Sequence, residues 1–290
     1  MRGYENIFFV SSAGHCNLDC RYCIIDPVPK NQLSLKYSEL SFLLQRNAKK
    51  KLLIFSGLGD FFASYRENER LLSLLLKQDI DVALDINGVF IHEYENLSLQ
   101  EREKITYINL TMHFNQLREK VLLERWVGNT KKLIANPPKK LFINTIISPL
   151  FVDGWEELLQ FYSKNIFDEF EFKLALVKDI INKFNNSAEK KLKNLVKKYS
   201  YLISETIDQD FTIPLKKREY VNCPAGQKYF RIWNNGLIQG CPNNNSLANM
   251  GNLFDRNMIF NEFPTPCVTP NFCDCNILKE LNMLPIVSRP

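Results

Sequence analysis

The chain has 290 residues, of which 45% are hydrophobic and 24% charged, with a formal net charge of +5. These values suit a globular protein with one large domain, or one domain plus a small appendage, and are ample for a sizeable core. They exclude the dense basic stripe of a nucleic-acid binder and the ~18-residue apolar run of a membrane span, and with no apolar signal core at the N-terminus a cytoplasmic protein is expected.

In chain order, apolar runs predict strands near 7–11, 52–57, 80–86, 105–112, 141–148 and 170–177. Several are continuous, as in a parallel sheet buried on both faces. Helix-period segments lie between them at 37–50, 67–78, 116–135, 155–164 and 188–203. Pro137-Pro138 closes the third of these helices. Six strands with helical crossovers make an α/β layer or an open barrel. The lysines Lys190, Lys191, Lys193, Lys197 and Lys198 read as the solvated face of the last helix. The texture changes after about residue 210. Residues 228–233 read as a strand, Asn234-Asn235-Gly236 as a tight turn, and 237–240 as the returning strand. Beyond them the chain is rich in Asn, Pro and Cys and has little periodicity. Such a tail gains its stability from a metal. The expected domains are 1–210 and 211–290.

The 8 cysteines fall into two groups. Cys16, Cys20 and Cys23 follow the first strand; Cys223, Cys241, Cys267, Cys273 and Cys275 lie in the tail. Core cysteines would scatter, and a disulfide framework suits a cytosolic chain of this size poorly. Two thiol clusters point to two metal sites. The first reads Cys16-Asn17-Leu18-Asp19-Cys20-Arg21-Tyr22-Cys23, a CxxxCxxC spacing with an aromatic before the third cysteine. Structural zinc wants four protein donors. Three thiolates on a [4Fe-4S] cluster leave one iron open. A loop at the C-terminal end of a parallel strand is also where α/β folds place their chemistry.

This spacing, with Tyr22 at the aromatic position, resembles the radical S-adenosylmethionine (SAM) superfamily. The resemblance spans about residues 5–180 and implies a partial (β/α)6 barrel. It implies a cluster whose open iron chelates SAM, and reductive cleavage to a 5′-deoxyadenosyl radical that abstracts a hydrogen atom. Cys16, Cys20 and Cys23 would then be the catalytic ligands. The segment from Gly57 through Gly59 to Asp60 is similar to the family's glycine-rich SAM segment, with Asp60-Phe61 where the family has Glu-Pro. Asn87-Gly88 resembles its Thr-Asn-Gly turn, and Asn109-Leu110-Thr111-Met112-His113 its fourth-strand SAM contact. The implied SAM-binding residues are Tyr22, Gly57, Gly59, Asp60, Asn87, Thr111, Asn144 and Leu176.

The tail is similar to the opening of SPASM and twitch extensions, including Gly251-Asn252-Leu253. That resemblance implies one auxiliary [4Fe-4S] cluster drawn from Cys223, Cys241, Cys267, Cys273 and Cys275, in a small hairpin-bearing, irregular iron–sulfur domain. A zinc knuckle is the alternative. Five thiols for four irons leave one spare, a candidate hydrogen-atom donor. The expected partners are the substrate and an external one-electron reductant of flavodoxin or ferredoxin type, with no nucleic acid and no membrane. Only 15 residues precede Cys16, too few for the peptide-binding domain of many peptide-modifying relatives. The expected substrate is therefore a sugar- or aminocyclitol-like small molecule, with oxidation, rearrangement or epimerisation as the net reaction. Modification of a ribosomal peptide is the alternative, and a non-catalytic iron–sulfur or zinc protein the further one. His92 and His113 read as structural, and His15 as a neighbour of the cluster.

Overall fold

The computed structural model describes residues 4–11, 15–23, 35–45, 51–57, 59–65, 70–78, 80–179, 181–207, 222–223, 225–240, 249–259, 261 and 265–266. Among them the strands are β1 (Asn6–Ser11), β2 (Lys51–Ser56), β3 (Ile80–Ile86), β4 (Ile105–Met112), β5 (Leu141–Ile147), β6 (Leu174–Lys178), β7 (Ile203–Ile207), β8 (Asn222–Cys223), β9 (Tyr229–Ile232), β10 (Leu237–Gln239), β11 (Asn249–Asn252), β12 (Asn257–Met258) and β13 (Thr265–Pro266). Eleven form one sheet in the order β12-β11-β10-β9-β1-β2-β3-β4-β5-β6-β7. From β1 to β7 every neighbouring pair is parallel and consecutive in sequence.

That order has a consequence. Parallel crossovers are right-handed, and here each one steps the same way, so the connecting helices gather on one face. The core shows this. Phe8, Phe55, Leu84, Leu110 and Ile143 pack with helix residues Leu72, Leu117, Trp126, Trp155 and Leu192 in one large cluster. The alternate strand positions Ile7, Phe9, Leu52, Ile54 and Ala83 form a second cluster with Tyr229 and without helix residues. The helix-free face is called the inner face below.

The six predicted strands are present, with β6 starting later than expected. The structure adds a seventh. Residues 203–207 lie where the sequence pattern ran a helix to 203. That helix ends at Lys198, and the Leu202 and Ile203 amides turn back onto the Tyr199 carbonyl at 2.9 and 3.1 Å. β-branched Ile203, Thr206 and Ile207 then pair with β6. The predicted 116–135 helix is two, Phe114–Glu119 and Leu123–Ala135. Between them Val121 is left-handed at φ 57°, which a single continuous helix does not admit.

The predicted hairpin forms. Trp233 donates to the Leu237 carbonyl and Gly236 to the Trp233 carbonyl, both at 2.9 Å, and Gly236 has the positive φ (78°) this turn requires. Its first strand, β9, pairs in parallel with β1, so the hairpin extends the main sheet. Cys241, Cys267, Cys273 and Cys275 lie outside the described residues. No described helix is long and apolar enough to cross a membrane.

Candidate active site

The first thiol group sits beyond the C-terminal end of β1, among the ends of β2, β3 and β4. Cys16, Cys20 and Cys23 are free and partly exposed. Their loop is held by bonds from three other segments and by one of its own. The Asp60 amide and the Ser64 hydroxyl donate to the His15 carbonyl at 2.9 Å. Asn87 Nδ2 donates to Asn17 Oδ1 at 2.8 Å and reaches Cys16 Sγ at 3.7 Å. The Leu18 amide lies 3.5 Å from the same sulfur. Gln116 accepts from the Asp19 amide at 3.3 Å, and Lys120 Nζ donates to the Asn17 carbonyl at 2.9 Å.

Asp60 is the centre of this scaffold. It is 2% exposed and caps the helix Phe61–Ser64, accepting from the Ala63 amide at 2.9 Å. Its other oxygen accepts from the Asn87 amide at 2.7 Å. Each oxygen therefore accepts from a backbone amide, so its carboxylate clamps the glycine segment to the β3 turn. Burial pushes its carboxyl up to about 6, against the lowering effect of the amides.

Tyr22 is 7% exposed. Its hydroxyl meets His113 Nδ1 at 3.0 Å, its ring stacks on the imidazole at 5.8 Å, and Phe151 meets it edge-on at 6.1 Å. It also reaches Cys20 in hydrogen-bond range. His113 is pulled down to about 4 by burial and is a neutral partner for Tyr22.

The other implied SAM contacts separate by face. Strand alternation puts Thr111 and Asn144 on the inner face, where Asn144 donates to Asn109 at 2.5 Å. Gly57 and Gly59 have left-handed φ values of 104° and 76°. Leu176 is fully buried in the helix-side core, so on the inner face it offers only its backbone. Gln116 and Lys120 escaped notice in the sequence, because a helix pattern does not reveal which polar residue reaches a distant loop. In the tail, Cys223 is in β8, where the β13 ladder places it opposite Thr265.

The donor set fits an iron–sulfur cluster. Burial first, then Asp60 and Cys23, push the Cys16 thiol up to about 11; burial first, then Cys16, push Cys20 up to about 12. Cys16 and Cys20 therefore resist ionisation until a cationic group enters, and a bound metal deprotonates such thiols outright. The Asn87 and Leu18 donors lie where thiolate sulfurs accept hydrogen bonds. Among the described residues no three His, Cys, Asp or Glu side chains converge on a single metal ion. A cluster differs in giving each thiolate its own iron.

No protein-family model and no curated protein matches the chain. Its fold is a mixed α/β chain built on a large parallel sheet, shared with solved structures. Among solved structures it is similar to native anSMEcpe with bound AdoMet and Cp18Cys peptide, with a TM-score of 0.51 and 15% identity over 86% of this chain and 77% of that one. It is also similar to Streptococcus suis SuiB, with a TM-score of 0.49 and 14% identity over 87% of this chain. The match spans 64% of SuiB.

Proposed function

We propose that the chain is a radical SAM enzyme that modifies a peptide. The carrying observation is the CxxxCxxC loop: three free thiols beyond β1 of a parallel sheet, fastened by Asp60 and Asn87 from the next two strand ends. When bound, the cluster and SAM supply one-electron cleavage of the sulfonium bond and a radical able to take a hydrogen atom. The chain's own residues then divide the remaining work. Cys16, Cys20 and Cys23 hold three irons. Asn87 and the Leu18 amide donate toward Cys16, and Tyr22 packs the loop against His113. Thr111 and Asn144 offer polar groups to SAM on the inner face, and the glycines at 57 and 59 leave room for close backbone approach. The dry cluster of Ile7, Phe9, Leu52 and Ile54 floors that face and excludes water from the reacting atoms. The sequential parallel order with one-sided helices supports a partial (β/α)6 barrel, here with β7 and β9 flanking its six strands.

The peptide reading displaces the small-molecule one. A fold neighbour of TM-score 0.51 was solved with both AdoMet and a peptide. We assign residues 1–210 to the SAM-binding unit and 211–290 to an auxiliary [4Fe-4S] unit. Two features support that unit. The β8–β13 ladder brings Thr265, two positions before Cys267, opposite Cys223. Gly226 and Gly240, near Cys223 and Cys241, touch so closely that a Cβ on Gly240 would lie 2.9 Å from the Gly226 backbone. A flavodoxin- or ferredoxin-like protein would supply the electron.

The test is anaerobic iron loading followed by SAM and dithionite. We expect 5′-deoxyadenosine from the wild type and none from Cys20→Ala. An iron-loaded wild type that leaves SAM intact would sink the proposal. Mass spectrometry with candidate precursor peptides then tests the substrate class: a mass change in a peptide supports it, and turnover of an aminocyclitol instead overturns it.

A further inference from the structure

Arg231 is a cation that meets no anion among the described residues. It lies on β9 in register with Phe9 of β1, which puts its side chain on the inner face. Its guanidinium is sandwiched between two rings, 5.0 Å from the Phe9 centroid and 4.6 Å from that of Trp233. Trp233 is itself fixed, its indole N–H donating to Gln239 Oε1 at 2.5 Å. Stacking of this kind orients the guanidinium fork and leaves its edge free to take a planar acceptor. Among the described residues no carboxylate or hydrogen-bond acceptor meets it, and its Nε is buried without a partner.

The free edge points to a defined place. Nη2 lies 3.5 Å from the position a Cβ would occupy on Gly57, the first glycine of the segment after β2. Ser11 Oγ lies 3.7 Å from the same point. Ser11 is 0% exposed, and its hydroxyl too has no partner among the described residues. Buried polar groups are nearly always bonded, so a guanidinium with an orphaned Nε whose Nη2 reaches that spot, beside an orphaned hydroxyl, points to a ligand that bonds both. Glycine at φ 104° keeps that spot open.

We infer that Arg231 and Ser11 form a carboxylate-binding subsite at the mouth of the inner face. Arg231 presents two parallel N–H donors to the two carboxylate oxygens, and the Ser11 hydroxyl donates to one of them. The carboxylate belongs either to the methionine part of SAM or to the substrate, as an acidic side chain or chain terminus. The inference rests on the proposed function for its setting, but the subsite stands on its own geometry. It also accounts for where the hairpin docks, since β9 carries a side chain from outside the six central strands over the end of β1.

The experiment uses the full, iron-loaded chain and calorimetric titration, with three probes: SAM, decarboxylated SAM and glutarate. If the carboxylate is SAM's, Arg231→Gln weakens SAM at least about tenfold and leaves decarboxylated SAM unchanged. If it is the substrate's, Arg231→Gln leaves SAM unchanged and weakens glutarate by at least that factor. Either result supports the subsite and names its source. Ser11→Ala deletes a hydroxyl that bonds nothing among the described residues, so it keeps the fold, and it should weaken the same probe about fivefold. Arg231→Lys keeps the charge and loses the flat fork, and should also weaken it. Unchanged affinity for all three probes in Arg231→Gln overturns the inference. Should that variant not fold, the same result in Ser11→Ala and Arg231→Lys does so. A wild type that binds glutarate through Arg231 yet never binds SAM would refute the enzyme reading and leave the subsite standing.

Discussion

Asp60 and His113 are buried close to the same loop with opposite consequences for stability. Burial raises the Asp60 carboxyl from 3.8 to about 6 and lowers the His113 imidazole from 6.5 to about 4. At about 1.4 kcal/mol per pH unit, each group is worth about 3 kcal/mol. Asp60 holds its proton more tightly folded than unfolded, so its contribution is complete below pH 3.8 and is lost as pH rises through about 6. His113 holds its proton less tightly folded, so its contribution is complete above pH 6.5 and is lost as pH falls through about 4. In the iron-free chain the two slopes oppose each other between about pH 4 and 6.5. Removing either group exposes the other. Relative to wild type, Asp60→Asn should gain about 3 kcal/mol from pH 4 to 6.5, and His113→Gln should lose about as much. Urea unfolding of the reduced, iron-free proteins at several pH values in that range measures both, and subtracting the wild-type curve cancels the other carboxylates. Variant curves that run parallel to wild type within about 1 kcal/mol would refute the premise that burial sets the protonation of these two groups.

Asn87→Ala removes the side-chain N–H near Cys16, and the cluster potential should fall by on the order of 40 mV, the one-electron equivalent of about 1 kcal/mol of hydrogen bonding. Spectroscopically monitored reductive titration checks this, and an unchanged potential counts against the bond. Gly88→Ala should destabilise by about 1–3 kcal/mol in a thermal melt, because its Cβ would lie 2.3 Å from Leu110 Cδ1 and 3.1 Å from Trp126 Nε1 at φ 77°. A chain with Cys16, Cys20 and Cys23 all changed to Ala should retain about four irons, those of the auxiliary cluster. Iron below about one per chain in that variant, or stoichiometric zinc, removes the auxiliary cluster from the account.

Much of the centre was legible in the sequence because its signals are local. The spacing of Cys16, Cys20 and Cys23 fixes which thiols share a loop. The apolar runs fix six strands, and Asn234-Asn235-Gly236 fixes a turn through the backbone angles it permits. Tertiary structure decided what depends on contacts between distant positions. Residues 203–207 became β7 because β6 offered a ladder, whereas the local pattern ran a helix to 203 and placed no strand after it. Asp60 clamps two segments because the Asn87 amide, 27 positions away, bonds its second oxygen. Arg231 has no signal in a short strand of mixed composition. Its meaning arises only because β9 lies beside β1, which sets the guanidinium between Phe9 and Trp233 and aims it, with Ser11, at Gly57. Local chemistry is written along the chain; which unpaired groups face one another is a property of the folded sheet.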